Sequence, residues 1–600
     1  MKLLKKYKYL IKKFIIYFLL VWTIYYIGKT TTGLRTSLIL GILLLISMAY
    51  LFYKSKSHII KLKEKYGDLA LRLSKEVLQK INSLFIGIYG LTFILGANLT
   101  GYLNYFPFNE LSYISLGILR GYIEYLMGFT FIICARLSFD RNKNFPKILY
   151  PLLGLSGLYL IFVNESLFTL FPLIFIGFLS YNTSDVLVRE SFIYSSEESV
   201  LGLGFALFST SIYIENASNY QIFSLVPPVY KIVYFIILLV SLFVLFYFVL
   251  RFVKKSETMM ENPNLEEYRL FLENNSPTGS TTAALGLLND KYIYYYKNKE
   301  GEKLLAFLYQ IVNNKIIVMG EPIGQKEYFD EGLNEFLIKC EKLSLNPVFY
   351  EVGEKFTLSL HDYGFDFIKY GENAFVDLDE FSLAGRKKSS LRNILNRFEK
   401  DGYRFEILDP PYDDDLLERL KTISDKWLKN REEKGFSMGF FDKYYLNSSR
   451  LALVYDRDNE VTAFTNIMPN SNPSTVTIDL MRYDVDMNVN SMMDYLFLNL
   501  FIKAKEDGCK YFNLGMAPLA NVGIYKSSYL SERIAYMVYK HADSLYPFKG
   551  LRNYKSKYAS HWLPVYTAFA KGNMILPSMI SILAADKGQL IEEKAYIDYK

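Results

Sequence analysis

The sequence contains little of what metal and redox sites are made of. It has three Cys and four His in 600 residues. Cys134, Cys340 and Cys509 lie far apart and match neither a zinc-binding nor a disulfide-exchange spacing. We therefore expect no metal site and no cofactor, and the cysteines are most simply buried apolar residues of a reducing compartment.

A cleavage site for a signal peptidase is missing as well. The amino terminus is basic, and an apolar stretch follows it directly at residues 14–27. Because no small-residue motif comes after this stretch, we expect it to be a retained membrane span and not a removed leader.

Long apolar stretches dominate residues 1–255. The overall composition, 51% hydrophobic, is an average over this region and a more polar second part. A membrane span needs about 20 apolar residues, and the sequence predicts eight spans, with six or seven as alternatives. The stretches lie near residues 14–28, 34–53, 81–103, 114–138, 147–163, 168–181, 199–215 and 230–253.

Loops rich in Lys and Arg alternate with loops that lack them. This alternation is expected for eight spans with both termini in the cytoplasm. Residues 54–80 carry eight Lys and Arg against three acids, and residues 136–147 are also basic. Residues 104–110 and 164–166, on the opposite side, carry no Lys or Arg. Because basic loops stay in the cytoplasm, we predict a multi-pass protein of the cell membrane whose second part is cytoplasmic.

The composition changes after Lys255. Residues 256–280 have the character of a linker, and then a meander of strands, a helix and a further strand occur twice. The pattern predicts two similar halves, 281–402 and 403–575, with residues 576–600 as a carboxy-terminal tail. The predicted fold is a polytopic α-helical membrane bundle followed by an α/β soluble domain of two tandem GNAT-like acyltransferase folds.

Several short sequence motifs in the second part are more specific than this pattern of strands and helices. They are EPIG at 321–324, RKK, LRN and NR within 386–397, DLMR at 479–482, Met493 with Asp494, NLGMAPL at 513–519, and FKGLRNYKSKYASHW at 548–562. In this order they resemble the carboxy-terminal synthase domain of the phosphatidylglycerol lysyltransferase family, over about residues 270–575. Members of that family move an aminoacyl group, usually lysyl and sometimes alanyl, from its tRNA to the glycerol hydroxyl of phosphatidylglycerol. The product lowers the negative charge of the membrane and its attraction for cationic antimicrobial peptides.

The resemblance implies a reaction that needs no ATP, metal or covalent intermediate, because the aminoacyl ester is already activated. The protein must bring the lipid hydroxyl to the ester carbonyl and stabilise the oxyanion. Asp479 is expected to hold the α-ammonium or to act as a base, and Arg482 to orient the substrate or bind phosphate; the alternative is a structural ion pair. Lys555, which follows Tyr554, is similar to the lysine of an aromatic–lysine pair in Fem-type transferases. These three are the predicted catalytic residues.

Two basic clusters fit the phosphates of tRNA or lipid. Residues 386–404 carry seven Lys and Arg against two acids, and residues 533–557 carry six against one acid. Aromatic residues at 554–562 could stack on the acceptor end, and a turn at 515–519 could offer N–H groups to the oxyanion. The alternative for each cluster is a solvated helix face. The residues predicted to bind substrate are Arg386, Lys387, Lys388, Arg392, Arg397, Asp494, Asn513, Gly515, Met516, Arg552, Tyr554, Lys557 and Trp562.

Three other functions compete with this interpretation. An acetyl-CoA-dependent GNAT enzyme needs glycine-rich N–H groups at a helix start for the pyrophosphate, and residues 486–493 contain no glycine. A Fem-like transferase acting on a cell-wall precursor is the second, and a lipid flippase with a non-catalytic soluble domain is the third. The predicted partners are aminoacyl-tRNA, most simply Lys-tRNA, phosphatidylglycerol and the bilayer, and a homo-oligomer is left open.

Overall fold

The computed structural model describes helices of the first part of the chain and most of the second part. The described residues are 46, 50, 67, 72–95, 117–163, 170–192, 196–218, 228–253, 259–275, 282–429, 431–469, 474–487, 489–541, 548–570 and 575–587. The chain divides into two units, Met1–Ser256 with Lys342–Ser344, and Glu257–Glu341 with Leu345–Lys600.

The first unit, where it is described, consists mainly of apolar helices. They are α1 (Arg72–Leu95), α2 (Gly117–Phe139), α3 (Phe145–Val163), α4 (Phe171–Asn182), α5 (Ser196–Ser218) and α6 (Pro228–Val253). Among the described residues, three segments are long and apolar enough to cross a membrane: Arg72–Leu95, Gly121–Phe139 and Ile232–Val249. The predicted stretch near 14–28 lies outside the described residues, and only residues 46 and 50 of the stretch near 34–53 are described, so a count of eight spans stays a prediction.

The described part of helix α1 reaches back beyond the predicted apolar stretch. That stretch starts near residue 81, but residues 72–80 are already helical, although we assigned them to a basic loop. Three polar side chains of this helix are buried, those of Gln79, Asn82 and Ser83, and Gln79 Nε2 lies 3.1 Å from Ser138 Oγ. Further along, a Cβ on Gly90 would lie 2.7 Å from the carbonyl oxygen of Gly128, so small residues let α1 and α2 approach closely.

The second unit alternates strands and helices. Its strands are β1 (Tyr292–Lys297), β2 (Lys303–Val312), β3 (Lys315–Met319), β4 (Ile323–Gly324), β5 (Asn346–Val352), β6 (Phe365–Asp377), β7 (Arg404–Leu408), β8 (Arg450–Tyr455), β9 (Val461–Ile467), β10 (Thr475–Tyr483), β11 (Tyr511–Pro518) and β12 (His561–Ala570). Its helices are α7 (Leu265–Asn274), α8 (Phe329–Lys342), α9 (Glu354–Asp362), α10 (Ser389–Lys400), α11 (Asp414–Leu428), α12 (Lys443–Asn447), α13 (Met492–Glu506), α14 (Leu530–His541), α15 (Phe548–Lys555) and α16 (Ile575–Ala585).

The described strands form one mixed sheet. Their order is β1-β2-β3-β5-β12-β6-β11-β10-β9-β8-β7, with β4 beside β2. In each half an antiparallel meander is followed by a helix and a parallel strand: β3 pairs with β5 across α8, and β10 pairs with β11 across α13. The repeated pattern predicted from the sequence is therefore present in the fold.

The two halves exchange their last strands. Strand β12, from the end of the second half, pairs with β5 of the first, and β6 of the first half pairs with β11 of the second. Strands β6 and β12 then pair with each other in the middle of the sheet. The boundary at residue 402 stays a prediction, because the sheet continues across both halves.

Two segments differ from the sequence prediction. Strand β11 continues to Pro518, where we predicted a turn at 515–519, because a bulge between Asn513 and Met516 lets the strand continue pairing with β6. Helix α16 lies in the segment for which we predicted only a tail. Its Ile582 and Ala585 are buried in the core of the first half, so apolar packing holds this segment in place.

Candidate active site

Asp479 lies on β10 and is held by two hydrogen bonds. The Gly439 N–H donates to Oδ1 at 3.0 Å, and the Tyr445 hydroxyl donates to Oδ2 at 2.8 Å. A Cβ on Gly439 would lie 1.7 Å from Oδ2, so only glycine leaves room for the carboxylate. Burial raises the pKa of Asp479, while the two hydrogen bonds and the charges of Lys291 and Arg482 act in the opposite direction.

Arg482 is buried near the end of the same strand. Its guanidinium carbon lies 4.0 Å from the ring centre of Trp427, and Nη2 lies 3.4 Å from Glu433 Oε1. Burial lowers the pKa of Arg482, and the charge of Glu433 opposes this effect. Among the described residues, Nε has no hydrogen-bond partner. A buried N–H of this kind can bind an oxyanion or a phosphate strongly.

A bulge in β10 explains why Asp479 and Arg482 act on each other. In a regular strand, residues three apart point to opposite faces. The pairing of β10 with β9 shifts between Ile478 and Met481, where three residues of β10 oppose two of β9. The extra residue shifts the alternation by one, so the two side chains can share a face.

Lys555 ends α15, and its ammonium group reaches β11. Nζ donates to the carbonyl oxygen of Met516 at 2.8 Å. Burial lowers the pKa of Lys555 to about 8, and the charge of Glu351 acts in the opposite direction. A sizeable fraction of this side chain is therefore neutral slightly above neutral pH, as a general base must be.

Glu351, near the end of β5, is the carboxylate that acts on Lys555. Burial raises its pKa to about 8, with smaller contributions from the charges of Asp586 and Asp479. The charge of Lys555 acts in the opposite direction. The backbone of Glu351 has a φ of +62°, a conformation that residues other than glycine rarely adopt. Strained backbone of this kind is often found at functional sites.

The loop between α11 and α12, which binds Asp479 through Gly439, also forms hydrogen bonds with other charged residues. The Phe436 N–H donates to Asp290 Oδ2 at 2.6 Å, and the Ser437 hydroxyl donates to Asp586 Oδ1 at 2.7 Å. Asp290 also pairs with Lys291 at 2.5 Å, and both side chains are fully buried. Burial raises the pKa of Asp586. One loop thus contacts acidic side chains from three distant parts of the chain.

The bulge of β11 positions the carbonyl group that Lys555 contacts. Asn513 Oδ1 accepts a hydrogen bond from the Gly515 N–H at 2.8 Å, and Gly515 has a φ of +80°. The Gly515 N–H, which we predicted to face an oxyanion, is therefore bonded within the chain. Met516 contributes its carbonyl oxygen to the site instead.

Asp494, at the amino end of α13, binds the segment around the end of α15. Its Oδ1 accepts a hydrogen bond from the Tyr558 hydroxyl and lies 3.5 Å from Lys557 Nζ. That Nζ lies 4.5 Å from the ring centre of Tyr554. In this conformation the predicted residues Asp494, Tyr554 and Lys557 fix the end of the helix that carries Lys555, and their contact with a substrate stays a prediction.

Arg552 joins the same helix to β6. Its Nη2 lies 3.1 Å from Glu372 Oε2, and its guanidinium carbon lies 4.7 Å from the ring centre of Trp562. Asn521 Nδ2 and Lys369 Nζ also donate to the Glu372 carboxylate, at 3.0 and 2.6 Å. Burial alone would raise the pKa of Glu372, but these hydrogen bonds outweigh it and leave the pKa lowered.

The basic residues before and within α10 make separate contacts. Arg392 and Arg397 donate to main-chain carbonyl oxygens at 2.8 and 2.6 Å. Arg386 is exposed and Lys388 is half-buried, and the side chain of Lys387 lies outside the described part. Among the contacts of the described residues, none joins this cluster to the charged group around β10. Its binding of phosphates stays a prediction.

Sequence comparison then identifies the family. The family model "Phosphatidylglycerol lysyltransferase, C-terminal" matches residues 271–569. The phosphatidylglycerol lysyltransferase of Bacillus subtilis (strain 168) is 36% identical over 413 residues, which are 66% of this chain and 47% of that protein. The chain belongs to the phosphatidylglycerol lysyltransferase family. The resemblance to this family that the short sequence motifs indicated is confirmed.

Other members of the family match the same part of the chain. The phosphatidylglycerol lysyltransferase of Staphylococcus xylosus is 36% identical over 306 residues, 51% of this chain and 36% of that protein. The chain thus spans about half the length of the Bacillus subtilis relative and about a third of the Staphylococcus one. The solved structure of L-PGS from Bacillus licheniformis is 35% identical in sequence to this chain. The alignment covers 56% of this chain and 100% of the solved one, with a TM-score of 0.49.

Electrostatic interactions link all three residues predicted to be catalytic. Asp479 and Arg482 influence each other's pKa, and Glu351 is influenced by both Asp479 and Lys555. The sequence analysis did not single out Glu351, nor Ser437 and Gly439 in the loop before α12. Among the described residues, no group of three His, Cys, Asp or Glu side chains could hold a metal ion.

A sequence signal was present for part of what was missed. Glu351 is a charged residue at the end of a strongly apolar strand, and such a residue needs a polar partner when the strand end is buried. The loop contains two glycines, Gly435 and Gly439, among apolar and acidic residues. That composition is typical of a backbone that must approach other groups closely.

Proposed function

We propose that the protein transfers an aminoacyl group, most simply lysyl, from aminoacyl-tRNA to the glycerol hydroxyl of phosphatidylglycerol at the inner leaflet of the cell membrane. Membership of the lysyltransferase family supports the lipid acceptor. The observation that carries the proposal is the buried Lys555 inside the matched domain: its Nζ donates to the Met516 carbonyl oxygen at 2.8 Å, and burial lowers its pKa to about 8. The product lowers the negative charge of the membrane and gives resistance to cationic antimicrobial peptides.

Lys555 acts as the general base in this reaction. The glycerol oxygen attacks the carbonyl carbon of the aminoacyl ester, and the neutral Nζ accepts the hydroxyl proton. The tetrahedral intermediate then collapses, the bond to the ribose oxygen breaks, and that oxygen takes the proton from the Lys555 ammonium. Glu351 adjusts the charge on Lys555 during these steps, because its carboxylate raises the pKa of the amine.

Asp479 and Arg482 hold the two charged parts of the reacting ester. The Asp479 oxygens are each oriented by one donor, and each keeps a lone pair for the substrate α-ammonium. The Arg482 Nε–H, without a partner among the described residues, faces the developing oxyanion or a phosphate. A preorganised donor of this kind lowers the barrier because it is already in place when the charge develops.

The remaining parts of the chain bring the two substrates together. We assign the phosphates of tRNA or lipid to the basic residues of 386–404 and 533–557 other than the base Lys555. The apolar helices keep the second unit at the membrane, with that unit and both termini in the cytoplasm. We also propose that the two halves of the sheet are two GNAT-like folds joined by the exchange of β6 and β12. Their repeated meander, helix and parallel strand support this interpretation.

A transfer assay with the full chain tests the function. The protein is reconstituted in vesicles with or without phosphatidylglycerol and given radiolabelled Lys-tRNA, Ala-tRNA or acetyl-CoA. We expect label in the lipid fraction only with an aminoacyl-tRNA and phosphatidylglycerol, and none after RNase treatment. Label transferred to a cell-wall precursor instead of lipid would favour a Fem-like enzyme. No transfer from any tRNA would leave a flippase as the better interpretation.

A further inference from the structure

The segment that follows β11 exposes an unusual number of apolar side chains. Tyr529 is 77% exposed and Leu530 is 69% exposed. The patch, called the 524–537 patch below, consists of Ile524, Tyr525, Tyr529, Leu530, Ile534 and Met537. Soluble surfaces rarely carry so many large apolar groups close together unless they bind something.

Half of the patch lies on one face of α14. Leu530, Ile534 and Met537 are spaced by four and three residues, which places them above one another along the helix. Arg533 is exposed at the edge of this face, and Lys526 is exposed in the loop before the helix. An apolar face bordered by basic residues is typical of helices that lie in a membrane interface.

The fold holds the patch in a defined orientation. Ala520 and Val522 are buried on the side of the loop next to β11. Gly523 has a φ of +64°, and a Cβ there would lie 2.0 Å from the carbonyl oxygen of Glu532. The loop therefore passes directly against the first turn of α14, and the exposure of the apolar face is a consequence of the packing.

The patch is also close to the candidate active site along the chain. Strand β11, which precedes it, provides the Met516 carbonyl that binds Lys555, and α15, which follows, carries Lys555. Helix α14 packs against α15. Asn521, at the start of the loop, donates to the same Glu372 carboxylate that holds Arg552. A partner bound to the patch would lie beside the helix that carries the base.

We propose that the 524–537 patch lies on the surface of the lipid bilayer and places the site next to its lipid acceptor. The apolar side chains enter the boundary between headgroups and acyl chains, at a depth of about 5–10 Å, and Lys526 and Arg533 contact anionic headgroups. The identity of the acceptor rests on the proposed function, whereas the docking of the patch does not.

The chemistry of the patch favours lipid over the other occupants. Two members of the patch, Tyr525 and Tyr529, could stack on bases. The other four are aliphatic side chains, from which tRNA would gain little and a bilayer much. The same chain contains segments long and apolar enough to cross a membrane. A bilayer is therefore always near the second unit, whereas a second copy of the chain must be recruited.

Fluorescence quenching on the full chain tests the proposal. Ile534→Cys is labelled with an environment-sensitive NBD group in vesicles of phosphatidylcholine and phosphatidylglycerol that contain acyl-chain spin-labelled lipid. The matched control is Leu358→Cys, because Leu358 on α9 is 58% exposed and Ile534 is 49% exposed. Cys134 and Cys340 are buried, and Cys509→Ser removes the remaining reactive thiol from both variants. We expect lipid quenching several times stronger at position 534 than at position 358.

Equal quenching at the two positions would overturn the proposal. It is also overturned when lipid does not quench position 534 and only added tRNA or a second copy of the chain protects it. This measurement needs no transferase activity, so it separates a failure of docking from a failure of the proposed function. In an active protein, Ile534→Ser with Met537→Ser should raise the lipid concentration for half-maximal rate several-fold, and Leu358→Ser should leave it unchanged.

Discussion

Lys555 Nζ donates a hydrogen bond to the carbonyl oxygen of Met516 at 2.8 Å, across the contact between α15 and β11. The bulge that Asn513 and Gly515 form in β11 determines where that carbonyl lies. The position of the proposed base therefore depends on a local irregularity of the sheet. Contacts of Asp494 and Glu372 fix the same helix from two further sides.

Replacing Lys555 by Met should remove the general base. We expect the single-turnover rate of aminoacyl transfer to fall by about 10²–10⁴-fold, with little change in membrane insertion. Lys503→Met is the matched control, because Lys503 is an exposed lysine on α13 that pairs with Asp507. A Lys555→Met protein that transfers as fast as this control would remove Lys555 from the reaction.

Replacing Glu351 by Gln should shift the pH dependence of the rate. The wild-type rate is expected to rise with pH through about 8, as Lys555 loses its proton. The charge of Glu351 raises the pKa of Lys555, so its removal should move this rise to lower pH. The measurement is a pH–rate profile, with Glu354→Gln, an exposed acid on α9, as control. A shift to higher pH, or none, is incompatible with the proposed pair.

Replacing Gly439 by Ala should disturb Asp479 directly. The new Cβ would lie 1.7 Å from Asp479 Oδ2, and overpacking of this kind costs about 1–3 kcal/mol. The thermal unfolding temperature of the full chain and the rate of aminoacyl transfer should both decrease. Tyr445→Phe, which removes one hydrogen bond to the same carboxylate, should cost less, about 1 kcal/mol. The geometry is refuted if Gly439→Ala is as stable and active as the wild type.

Replacing Glu372 by Gln should destabilise the protein in a pH-dependent way. The folded state lowers the pKa of Glu372, so its contribution is fully present above the unfolded pKa of about 4.3. That contribution is lost as the pH falls through the folded pKa. We expect a loss of about 1.5–3 kcal/mol at pH 7, and a smaller loss below pH 4, in denaturation curves. The exposed Glu380 provides the matched control, Glu380→Gln; equal losses at both pH values would contradict the contacts seen around Glu372.

The local elements of the second unit could be predicted because their patterns are strong. The sequence predicts strands at 292–296, 304–312 and 316–319, and β1 to β3 begin and end within one residue of these bounds. Asp479 and Arg482 were identified as a pair near the end of β10. The bulge that shifts the alternation between them depends on pairing with β9, and one strand's sequence does not contain that information.

The parts that the sequence did not reveal depend on contacts between distant segments. Glu351 and Lys555 are about 200 residues apart in the chain, and they act on each other because β12 lies between β5 and β6. Asp586 follows α16, a short apolar helix that we predicted as part of a tail. The burial of Ile582 and Ala585 in the core of the first half, which one segment's sequence does not reveal, explains why that helix is fixed.

The central claim is that the group around Lys555 transfers an aminoacyl residue to phosphatidylglycerol. The most direct measurement is the appearance of radiolabelled lysyl lipid from Lys-tRNA in phosphatidylglycerol vesicles containing the full chain, compared with the Lys555→Met variant. We predict labelled lipid from the wild type, an initial rate about 10²–10⁴-fold lower from the variant and normal product from Lys503→Met. Equal initial rates from the wild type and Lys555→Met, or no labelled lipid from either protein with any aminoacyl-tRNA, would contradict it.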